Sequence, residues 1–204
     1  MVIYVDGENF RHGVAEVLAS ENIIRTSRQL MGFPIRKLLE DVLAASELEI
    51  RYYASRIKLP KGFQPNPEVI TRAEEIKEYN RSWVAQLTMQ NVTFIKAGYL
   101  KVKTGEPCPK CQYTSQVLQE KGVDVRLAVD MISDSINKKR GKVNKVFLFS
   151  SDSDLIPAID RARQAGTYVI YVCFSDAVNR AVSASANETI TVPKVKVMQH
   201  YQEK

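Results

Sequence analysis

Cysteine and histidine are scarce in this chain, with three and two respectively among 204 residues. An odd number of cysteines, with Cys173 far from Cys108 and Cys111, does not make a disulfide framework. Neither His12 nor His200 falls in a recognisable nucleophile setting, which argues against Ser-His and Cys-His catalysis. Long apolar runs are also missing: none approaches the roughly 18 residues of a spanning helix. Asp6 interrupts the only apolar run near the start, where a secretory signal needs an unbroken apolar middle. These absences predict a cytoplasmic protein with no membrane association. No internal repeat, low-complexity tract or convincing domain boundary is visible, so the length implies one domain over residues 1–192, with a tail over 193–204. The tail alternates apolar and basic residues and reads as an edge strand, a dimer contact or a frayed end, which leaves a homodimer open.

What is present is an ordinary globular composition, 45% hydrophobic and 25% charged, with a net charge of +6. Against that basic balance, acids gather at two strand ends. The run Met1 to Val5 leads into Asp6-Gly7-Glu8-Asn9, and Val146 to Phe149 leads into Ser150-Ser151-Asp152-Ser153-Asp154. In an open parallel α/β sheet, residues just past the carboxyl ends of strands converge on the ligand crevice. Asp6, Asp152 and Asp154 are thereby aimed at one place, and clustered carboxylates are commonly tolerated because a divalent cation sits between them. Asp also caps helices and opens turns, and this plainer role competes above all for Asp154, before Leu155-Ile156-Pro157. A basic surface around an acidic crevice suits a polyanion held by its backbone.

Apolar periodicity predicts alternating units: helices over 8–18, 34–43 and 68–90, and strands over 49–54 and 92–103, with Gly98 at an expected bulge. Residues 58–67 and 104–112 read as loops. Val125, Ala128, Val129, Ile132 and Ile136 mark a buried helical stripe. A strand over 146–149, a helix over 153–164, a strand over 168–174, a helix near 177–186 and a short strand near 189–192 follow. Such alternation predicts an α/β protein with a mainly parallel sheet and helices on both faces.

The combination of Asp6-Gly7-Glu8-Asn9, Glu120-Lys121-Gly122-Val123-Asp124-Val125 and Ser150-Ser151-Asp152-Ser153-Asp154 resembles the NYN domain family in its LabA-like branch, within the PIN-like nucleases. The resemblance implies a three-layer α/β/α sandwich of the PIN-like, Rossmann-like kind and a metal-dependent ribonuclease site. Carried onto this sequence, it places Asp6 as the acid of the first strand, Asn9 as its polar partner, Asp124 as the acid opening a helix, and Asp152 and Asp154 as the acids after a later strand. Ser151 stands where the family usually carries glycine. Some relatives regulate RNA without well-defined cleavage, so a catalytically weak RNA-binding module of the same fold is the alternative.

For phosphodiester cleavage the carboxylates would hold Mg²⁺ or Mn²⁺, which favour hard oxygen donors. Asp6, Asp124 and Asp152 are assigned to metal, and Asp154 to a supporting or second-ion role. Asn9 is expected to bond the scissile phosphate or to orient Asp6, and Ser151 is expected at the substrate. Basic residues between Arg51 and Lys103, with Lys58 and Lys61 in an exposed loop, interleave with Tyr52, Tyr53, Phe63, Tyr79, Trp83 and Tyr99 as a track for single-stranded RNA. The competing role for Tyr79 and Trp83 is the core. Lys138 to Lys142 is a second basic run, explained by a helix end. Asp130 lies about 120° around a helix from Asp124, so it is expected on a solvated face with Asp134. Cys108 and Cys111 have zinc-ligand spacing but make half a site, and zinc there is not the favoured reading.

Overall fold

The computed structural model describes residues 1–57, 66–137 and 143–202. In chain order its elements are β1 (Val2–Asp6), α1 (Gly7–Ser20), α2 (Ile35–Val42), β2 (Glu49–Ile57), α3 (Pro67–Met89), β3 (Thr93–Pro107), β4 (Thr114–Lys121), α4 (Val123–Ile136), β5 (Lys145–Phe149), α5 (Ile156–Gln164), β6 (Tyr168–Phe174), α6 (Arg180–Ser185), β7 (Glu188–Val192) and α7 (Lys194–Gln202). The strands form one sheet in the order β4-β3-β2-β1-β5-β6-β7. Every pairing is parallel except that of β3 with β4. The chain winds outward from β1 to β4 and then returns to β5 on the other side of β1. The β1–β5 junction is therefore the switch point, where the carboxyl ends of the strands open a crevice.

A parallel strand covered on both faces must be apolar on both, and all five residues of β1 are buried. Ile3 and Val5 join Phe10, Leu38, Trp83 and Val197 in a core between the sheet and α1, α2, α3 and α7. Tyr4 and Leu148 join Leu127, Ile159 and Val182 in a second core beneath α4, α5 and α6. The result is the expected three-layer PIN-like sandwich. Among the described residues, no helix is long and apolar enough to cross a membrane.

Four expectations change. The segment after Thr104 is not simply a loop: β3 continues to Pro107 and turns back as β4, an antiparallel partner. Its alternation escaped notice because its half-buried face carries Gln116, Leu118 and Glu120 rather than an apolar set. The tail is a helix, α7, instead of an edge strand, and the Asp41 carboxylate of α2 takes His200 Nε2 at 2.9 Å and Lys196 Nζ at 3.1 Å. On α4 the buried stripe is Val123, Leu127, Met131 and Ser135, whereas Val125, Val129 and Ile136 are exposed. Both stripes have helical spacing. Gly122, at φ +83°, is the N-cap through which the chain passes from β4 into the helix.

The fourth change concerns Asp130 and Asp134, which lie on the side of α4 that meets the sheet rather than on a solvated face. Asp134 accepts the Tyr4 hydroxyl at 2.7 Å and pairs with Arg51, whose guanidinium lies over the Tyr4 ring. Asp130 accepts from Tyr53 at 3.2 Å and pairs with Arg126 at 2.9 Å. Tyr52 and Tyr53 are accordingly core residues, and burial pushes both hydroxyls well above the usual tyrosine range. Gly98 does mark a bulge: two residues of β3, Ala97 and Gly98, oppose the single Ser55 of β2 between the Ala54–Lys96 and Arg56–Tyr99 pairs.

Candidate functional site

β1 ends because Asp6 caps the next helix. Its Oδ1 accepts the amides of Glu8 and Asn9, both at 3.1 Å, satisfying donors that the first turn of α1 leaves unpaired. Its Oδ2 accepts Asn9 Nδ2 at 3.0 Å and the Ser150 hydroxyl at 3.2 Å. Burial raises the Asp6 carboxyl above its ordinary range, and the bonds from Asn9, Ser150 and Glu8 oppose the rise. Gly7 is required by close approach, since a Cβ there would stand 2.3 Å from the Tyr52 ring.

β5 delivers the second group. Ser150 Oγ accepts the Asp152 amide at 3.2 Å, and Asp152 Oδ1 in turn accepts the Asp154 amide at 2.9 Å, capping a 3-10 turn over Ser153–Leu155. The Ser151 amide donates to Asn9 Oδ1 at 3.4 Å, so Asn9 ties the two strand ends together. The Ser151 hydroxyl lies 2.8 Å from Tyr171 and 3.1 Å from the Ala177 carbonyl. Burial pushes the Tyr171 hydroxyl up to about 12. Ser151 is not among the residues with positive φ, so a side chain meets no backbone penalty at the position where glycine was expected.

Asp124 arrives from a third direction, in the first turn of α4, where a helix N-terminus favours negative charge. Asp124, Asp152 and Asp154 each place a carboxylate oxygen within 4.8 Å of the others. Asp6 stands outside this group and connects to it through Ser150. Three half-exposed or exposed carboxylates with hard oxygen donors suit a Mg²⁺ or Mn²⁺ ion that keeps several waters.

Glu120 opens one of the sequence motifs but was assigned no role from it. It is half-buried near Asp6 and Glu8, and burial first, then those like charges, raise its carboxyl while the Ser55 hydroxyl, 2.7 Å away, opposes the rise. The signal that could have found it is period-two alternation placing it on the same face of β4 as Leu118. Lys58 and Lys61 lie outside the described residues, as do Phe63 and Lys138 to Lys142. Of the remaining track, Lys96, Lys101 and Lys103 are exposed on β3, whereas Arg51 is committed to Asp134 and Glu49. Cys108 and Cys111 sit at the β3–β4 turn, where amide and thiol donors from Cys111 and Lys110 hold the Cys108 thiol below its usual range.

No curated protein matches the chain in sequence. Among solved structures, it is similar to a protein of unknown function from Vibrio parahaemolyticus, at 14% identity and a TM-score of 0.47 over 94% of this chain and 91% of that one. It is also similar to a hydrolase from Pseudomonas syringae, at 13% identity and a TM-score of 0.24 over 99% and 97% of the two chains. Scores this low add nothing to the reading of the site. The family model described as the NYN domain matches residues 1–193, from β1 through β7, and the chain belongs to that family.

Proposed function

We propose that this NYN domain, of the LabA-like branch, is a metal-dependent ribonuclease acting on single-stranded RNA in the cytoplasm. The observation that carries this reading is the approach of Asp124, Asp152 and Asp154 to within 4.8 Å of one another at the switch point of the sheet. Three like charges so close are stabilised by a cation, and these three would hold Mg²⁺ or Mn²⁺. A divalent ion bound there supplies an activated water and neutralises charge on the phosphodiester oxygens.

The chain's own residues position that chemistry. Asp6 accepts four hydrogen bonds and fixes Asn9 and Ser150, so it serves as the site's inner support. Asn9 bridges β1 to the β5 loop, and the amide N–H that it does not give to Asp6 would be its donor to the scissile phosphate. Ser151 anchors the loop by bonding toward Tyr171 and Ala177. The lysines of β3, with Lys58 and Lys61, supply phosphate attraction.

The test is cleavage of end-labelled single-stranded RNA with Mg²⁺ or Mn²⁺ against a chelator control. Cleavage should need the ion and fall at least a hundredfold in Asp152→Asn. RNA binding that persists without any ion-dependent cleavage would replace this reading with that of a regulatory RNA-binding module.

A further inference from the structure

A cavity of about 360 Å³ opens between α3 and the β2–β3–β4 side of the sheet, and Glu120, four residues before Asp124, is part of its lining. Its rim begins at Gly7 and Glu8, the residues directly after Asp6. The volume lies near the lower end of the roughly 300–1,000 Å³ typical of small-molecule sites. Aromatic rings line it: Tyr79 and Trp83 stack on each other with centroids 6.0 Å apart, and Phe94 stands beside them.

The lining charge is balanced. Arg11 closes on Glu8 at 2.7 Å, while Arg28 and Arg72 share Glu75 at 2.7 and 3.4 Å. Glu120 is different: one of its oxygens takes the Ser55 hydroxyl, and no ion pair to it occurs among the described residues. A charge-balanced, aromatic cavity suits a flat, neutral, polar ligand better than an anion. The carboxylate within it wants N–H donors. Nucleobases have this character, and unstacked bases of single-stranded RNA lodge against aromatic side chains. Guanine alone among the four presents two adjacent N–H donors on its Watson–Crick edge, the pair a carboxylate accepts.

We propose that this cavity binds an unstacked guanine of the RNA strand whose phosphate lies at Asp124, Asp152 and Asp154, with Glu120 selecting the base. The proposal rests on the ribonuclease reading for its choice of ligand, but its test does not need turnover.

Trp83 is the sole tryptophan of the chain, so its fluorescence reports the cavity directly. The full chain, kept in a chelator, is titrated with GMP, AMP, CMP and UMP, and with ribose 5-phosphate as the phosphate-only probe. GMP should change the Trp83 signal and bind at least tenfold more tightly than the other nucleotides, with ribose 5-phosphate silent. Glu120→Gln should remove most of that preference, and Tyr79→Ala should weaken all four, with circular dichroism confirming that both variants fold. No response to any nucleotide, an equal response to ribose 5-phosphate, or a guanine preference unchanged in Glu120→Gln would overturn the proposal. If the titration fails while Asp152-dependent RNA cleavage persists, the pocket assignment falls alone. If guanine binds and no cleavage is found, the ribonuclease reading falls alone.

Discussion

Ser150 donates its hydroxyl to Asp6 Oδ2 at 3.2 Å across 144 residues of sequence, and the Ser150 Oγ in turn accepts the amide of Asp152. One hydroxyl thus joins the acid at the end of β1 to the loop that carries the carboxylate group. It makes the two strand ends a single unit.

If Asp124, Asp152 and Asp154 hold a cation, Mn²⁺ or Mg²⁺ should stabilise the native state by mass action. At a hundred times the dissociation constant the gain is about 2.7 kcal/mol, and in a domain of this size each kcal/mol moves Tm by about 2–4 °C. Differential scanning fluorimetry should show that increment in the parent and in Asp6→Asn, and its loss in Asp124→Asn and Asp152→Asn. Melting curves indifferent to millimolar metal would remove the shared site.

The raised Asp6 carboxyl predicts a pH signature in metal-free protein. A carboxyl whose folded-state pKa is raised contributes stability that is present below its ordinary pKa and lost as pH rises through the raised value. Asn at position 6 keeps a capping side chain but does not titrate. Between pH 4 and 7.5, the Tm of Asp6→Asn minus that of the parent should therefore increase with pH. A difference that stays flat would mean that Asp6 titrates alike in the folded and unfolded chains.

Asp134 holds two partners beneath α4, the Tyr4 hydroxyl and the Arg51 guanidinium. Asp134→Ala strands both and should destabilise by about 1–3 kcal/mol in urea melts, whereas Tyr4→Phe, which removes only the hydroxyl, should cost about 1 kcal/mol. Equal small losses would return Asp134 to the solvated surface expected from sequence.

Gly98 adopts φ +71°, and a Cβ there would lie 2.0 Å from the Lys121 carbonyl oxygen. Gly98→Ala should lower stability by more than about 1 kcal/mol. Because Lys121 leads into Gly122 and α4, the variant should also weaken metal binding through Asp124, which calorimetry can follow. A stable variant with unchanged metal affinity would uncouple the bulge from the site.

If Lys58 and Lys61 meet phosphates, charge reversal at both should lessen the salt dependence of RNA binding. Each neutralised phosphate on a single strand contributes a log–log slope of about −0.7. Anisotropy across a salt series, in an Asp152→Asn background, would show it. A slope that the pair leaves unaltered would assign attraction to Lys96, Lys101 and Lys103 on β3.

Much of the sheet and its acids was legible in the chain, because strand apolarity, helical spacing and strand-end carboxylates are local patterns. β1 and β5 read as buried parallel strands since covered strands must be apolar on both faces. Their terminal acids followed from the topology that such strands impose, and the Gly98 bulge followed from its glycine. Local patterns carry no distances between remote segments. That Asp154 joins Asp124 and Asp152 within 4.8 Å, while Asp6 turns its oxygens to four protein donors, depended on the junction of β1, β5 and α4. The phase of α4 was equally undecided, because two of its stripes share helical spacing and packing against the sheet buries Val123, Leu127 and Met131. Glu120 entered the site's neighbourhood only when β4 paired with β3. The sequence by itself determined an α/β chain of the NYN family with acids at its strand ends. Tertiary structure decided which acids meet, since that depends on crossovers and helix phase that no local spacing encodes.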